Sequence, residues 1–60
     1  MRKSNVDKAK VALRKVVEMA ERVKEYIAMA EALGANDIAN GLEIELEALN
    51  EIIWALKEIY

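Results

Sequence analysis

Three features of this 60-residue chain point to an all-α fold: an antiparallel two-helix hairpin that assembles with copies of itself into a helical bundle. Apolar residues recur at alternating three- and four-residue spacing through both halves of the chain, the period of an amphipathic helix. Proline is absent and glycine occurs twice, so a sharp break is convincing only around Gly34. The second half also carries two apolar seams where a hairpin needs one.

Ser4, with Asp7 three residues on, reads as a helix N-cap in which Asp stands in for the Glu of a capping box. Val6, Ala9, Leu13, Val16, Ala20, Val23, Ile27 and Ala30 then form an unbroken heptad seam. Ala12, Met19, Tyr26 and Leu33 repeat every seven residues on its flank and widen the stripe. The first helix is expected at about residues 5–33, roughly 43 Å long at 1.5 Å per residue. In the turn, at 34–36, Gly34 suits the left-handed position that ends a helix, and Ala35 suits the apolar contact after it. Asn36 or Asp37 is then expected to cap the second helix, at about 37–60. So short a loop folds it back antiparallel on the first, and residues 1–60 make a single domain. Asn40-Gly41 is a turn dipeptide inside that second helix. Either the loop runs on to Gly41, or Gly41 is helical at a cost of up to ~1 kcal/mol against Ala. The heptad spacing favours the helical alternative.

The second helix offers Leu42, Leu49 and Leu56, with Ala39, Leu46, Ile53 and Tyr60 alongside, as the face for the first helix. Its other seam is Ile38, Gly41, Ile44, Ala48, Ile52, Ala55 and Ile59. The two together span more than half the circumference, and one partner helix covers about a third. Leaving Ile44, Ile52 and Ile59 in water would forfeit ~1.5–3 kcal/mol each. The seven-residue run of Gly41, Ala48 and Ala55 would let a neighbouring backbone approach closely. The second seam is therefore expected to be an interface with another copy. The simplest closed solution is a two-fold dimer with helix 2 against helix 2, a four-helix bundle; a trimer or larger ring would serve the same seam.

Residues 1–33 carry eight Lys/Arg and five Asp/Glu, net +3; residues 34–60 carry Lys57 and six acids, net −5. Oppositely charged helices attract when packed side by side. The basic start of helix 1 (Arg2, Lys3, Lys8, Lys10) opposes its own macrodipole, so its expected partners are Glu51 and Glu58.

Composition removes several function classes. Without Cys or His the chain lacks thiolate nucleophiles, disulfides and the commonest metal ligand and general base. No nucleophile–base pair and no Gly-rich phosphate loop occurs, so no enzyme, catalytic residue, metal site or cofactor is expected. Glu45 falls between the two seams of helix 2. With no Glu-x-x-His helix available, it reads as a rim residue facing a Lys or Arg of a neighbour rather than as a metal ligand. Asn40 and Asn50 fall on the polar face with Glu43, Glu47 and Glu51. No stretch is long and apolar enough for a membrane span. Met1-Arg2-Lys3 leads into mixed charge, so no targeting segment is expected; in a cell the chain would stay in the cytoplasm.

Val11, Met29 and Trp54 are apolar residues at positions where water is expected, a second candidate surface that would take a foreign protein. Nucleic acid is not an expected partner. Lys10, Arg14, Lys15, Arg22 and Lys24 are interleaved with Glu18, Glu21 and Glu25, and the sequence pI is near 5.1. Arg14–Glu18 and Glu18–Arg22 read instead as four-apart helix pairs.

Cys, His, Pro, Phe, Thr and Gln are all absent, and Ala, Glu, Leu, Ile, Lys and Val fill most of the chain. In this restricted palette and in its patterning, the whole chain resembles computationally designed helical hairpins and bundles. In length and general plan it is also similar to the Rop family of RNA-binding hairpin dimers. That resemblance rests on no residue motif, so no functional residue is carried over from it.

Overall fold

A computed structural model describes residues 3–59. It holds two helices, α1 (Lys3–Ala32) and α2 (Asn36–Lys57), packed against each other along their length. The rod measures 48 × 14 × 9 Å over its Cα atoms. Subtracting the roughly 4.6 Å diameter of one Cα cylinder from its 14 Å width puts the axes about 9 Å apart.

That approach is set by alanine. Among the described residues, those nearly closed to solvent are Ala9, Ala20, Ala30 and Ala39. Around them the larger seam residues (Val6, Leu13, Val16, Val23 and Ile27 against Leu42, Leu46, Leu49, Ile53 and Leu56) are half-buried. The expected seam between the helices is therefore present, except for Tyr60, which lies outside the described residues, as does Arg2 of the basic start.

Several ends differ from expectation. Ser4 lies inside α1, because Lys3 before it is a good helix former and nothing there stops the helix. α1 closes at Ala32 in a Schellman turn: the Ala35 N–H donates to the Ala30 carbonyl at 2.9 Å and the Gly34 N–H to the Glu31 carbonyl at 3.1 Å. Gly34 has φ +75°, the left-handed conformation this turn requires. Leu33, expected on the flank stripe, follows the helix end and is 84% exposed.

α2 begins at Asn36 with Ala35 in the N-cap position, so neither Asn36 nor Asp37 caps it and no side-chain cap bond forms. The Ala35 carbonyl instead accepts the first helical bond, from the Ala39 N–H at 3.0 Å. Asp37 still places an acid in the first turn, and Lys57 a base in the last, each complementing the helix dipole. Gly41 is helical, within α2. Beyond Lys57 the chain tightens into a turn, in which the Ile59 N–H donates to the Leu56 carbonyl.

Candidate self-association face

The hairpin has two unlike sides. On one, Met19, Val23 and Tyr26 of α1 and Ala48 and Leu49 of α2 line a single groove, with Arg22 and Glu45 on its margins. On the other, Lys24, Glu43, Glu47 and Asn50 surround Ile27 and Leu46, so that side is polar. Asn40 and Asn50 are exposed, as expected of polar-face residues.

Every member of the second seam is exposed: Ile38, Gly41, Ile44, Ala48, Ile52, Ala55 and Ile59. The isoleucines are large residues left in water, Ile44 at 67%. Ile38 sits at the turn end, in a depression with Gly34, Ala35, Asn36 and Asp37. At 100° per residue the others continue the apolar side along α2 from the groove at Ala48. A Cβ built on Gly41 meets nothing within 4 Å, so nothing in its own chain requires a glycine there.

The structure adds residues that sequence reasoning did not assign to this face. Met19 and Tyr26, both about half exposed, join the α2 seam across the groove. Their seven-residue spacing is the available signal, and on a single helix it shows only a wider stripe. The apolar face is thus a two-helix surface, not a stripe on α2 alone.

The other candidates do not converge. Val11 and Met29 are exposed and share one angle on α1, but they stand about five turns, or about 27 Å, apart. Val11 lies beside Ala12 with Asp7, Lys8 and Lys15 around it. Trp54, 69% exposed, lies toward the Asn50 side of α2 by its helical angle. The Lys57 ammonium sits 5.9 Å from its ring centroid, within cation–π range.

Lys24 and Glu21, three apart on α1, form an ion pair at 4.0 Å. The expected Arg14–Glu18 and Glu18–Arg22 pairs do not close, and Glu51 and Glu58 project from the outer side of α2, away from the base-rich helix. Glu45 is exposed and shares the groove with Arg22 without an ion pair between them. No group of three or more acidic, His or Cys side chains is placed to hold a metal ion among the described residues. No described helix is long and apolar enough to cross a membrane. Comparison with known protein families, curated proteins and solved structures finds no match for this chain.

Proposed function

We propose that the chain is a structural self-assembly module: two copies close their apolar faces on each other and form a four-helix bundle. The carrying observation is the two-helix apolar face itself, left open in a molecule whose described residues include no large side chain that is completely buried. The chain exposes 4750 Å², against about 3,950 Å² for a compact protein of its mass. The excess of about 800 Å² equals what one partner buries in a standard interface. Its radius of gyration, 14.3 Å, likewise exceeds the roughly 10.4 Å of a compact chain of this length.

Chains this small generally need a staple beyond their own core: disulfides, a metal, or other subunits. Cysteine and histidine are absent, and the open apolar face is suited to the last of these. The glycine at position 41 supports the same reading, since its helix cost is offset only if a neighbouring chain uses the space. A restricted palette and uniform heptads agree with a chain designed for this purpose.

Light scattering after size exclusion, over a hundredfold dilution, tests the proposal. A mass of twice 6.8 kDa is expected. Ala48→Glu and Ala55→Glu should each shift it toward one chain by burying a charge in the interface. A wild-type monomer throughout, or dimers unmoved by both substitutions, would overturn it. The reading in which Val11, Met29 and Trp54 receive a foreign protein is weaker, because those residues stand apart.

A further inference from the structure

We infer that the second copy lays its α1, not its α2, along the α2 seam, so that the two-fold axis runs parallel to the helices and both turns lie at one end of the bundle. This rests on the self-association reading above. A seam confined to α2 suggests helix 2 against helix 2; a face shared by both helices opens a second arrangement.

Two such faces stack in two isologous ways. With the axis perpendicular to the helices, α1 covers the partner's α1 and α2 covers its α2. With the axis parallel, each α1 covers the other chain's α2. Neighbouring helices are antiparallel in both, so the helix dipoles do not choose between them.

Side-chain charge does choose. Stacking like on like sets the −5 of residues 34–60 against itself, and likewise the +3 of residues 1–33. The parallel axis sets each against its opposite. The charges are also in register. Lys8, Lys15 and Arg22 recur every seven residues along the α1 edge of the open face, bordering its grooves. Glu58 and Glu51 run the other way along the outer edge of α2 at seven-residue spacing, while Glu45 lies about 120° round the helix from that line, on the groove side. A parallel axis holds the second α2 at the height of the first. Lys8 then meets the partner's Glu58, and Lys15 the partner's Glu51.

None of these four side chains closes an ion pair within its own chain among the described residues. Shape agrees. Met19 and Tyr26 of one chain would project at the level of Ala48 and Gly41 of the other, large side chains into the space beside small ones.

The chain has no cysteine, so introduced thiols report contacts without ambiguity. A Met19→Cys chain is mixed with an Ala48→Cys chain, exchanged under reduction and then oxidised. A mixed disulfide is expected, and Ala48→Cys alone should fail to link to itself, its copies lying on the bundle diagonal. Self-linking of Ala48→Cys would overturn the arrangement while leaving the dimer intact. A mass of one chain for both variants before oxidation would instead overturn self-association.

If neither pair links, charge reversal decides. Lys15→Glu and Glu51→Lys should each raise the dimer Kd on the order of tenfold, and the double variant should recover it. Tighter dimers from Glu51→Lys alone would mean that α2 faces α2, because the reversal then relieves acid against acid.

Discussion

Gly34 holds φ at +75°, where an L side chain brings its Cβ too near the following carbonyl oxygen. No other atom crowds the site, so a Gly34→Ala variant would be strained by backbone conformation alone. Chemical denaturation should show a loss of about 1–2 kcal/mol. Gly41 also has open space around it, but its backbone is helical. Gly41→Ala should therefore raise helix stability by up to ~1 kcal/mol while weakening the dimer that uses the gap. Circular dichroism and dilution light scattering would separate the two effects; a variant more stable and equally dimeric would place Gly41 outside the interface. Trp54 lies on the other side of α2, so acrylamide should quench its fluorescence as strongly in the dimer as in a dissociated Ala48→Glu chain. Protection on dimerisation would mean that the polar side is the one covered.

Each helix is held by the other more than by its own local devices. α2 lacks a side-chain N-cap, and the Lys24–Glu21 ion pair of α1 is an exposed three-apart contact. Such a pair contributes little. Stability resides in the seam, where the alanines keep the axes about 9 Å apart. Ala20→Leu would force three more carbon atoms into that contact. The expected cost is about 1–3 kcal/mol, seen as a lower melting temperature, because well-packed contacts absorb added volume poorly. A melting point unchanged by the added volume would mean that the helices separate freely at Ala20.

At the scale of the whole molecule, the hairpin is a rod with one apolar side, one polar side, and opposite net charge on its two helices. The apolar contact should supply most of the association and the charges its orientation. Raising salt from about 0.1 to about 1 M shortens the Debye length from about 10 to about 3 Å. Dimer affinity should then fall a few-fold and persist, because burial of the isoleucine-rich face is not screened. Complete dissociation in high salt would show that charge, not apolar area, holds the copies together.

Heptad spacing was sufficient to place the seam between the helices, the position of the turn and the unpartnered isoleucines, because each follows from angular position on a single helix. Ends were less legible. Ser4 and Asn36 have capping side chains, yet helix propensity before Ser4 and the Schellman turn before Asn36 carry both residues inside their helices. Only the tertiary structure decided that Met19 and Tyr26 share a face with Ala48 and Leu49. Periodicity assigns each residue an angle on its own helix, but not which flank of α1 comes to lie beside which flank of α2. That depends on how the backbone swings through Leu33, Gly34 and Ala35, a geometry set by hydrogen bonds and one positive φ rather than by any hydrophobic repeat.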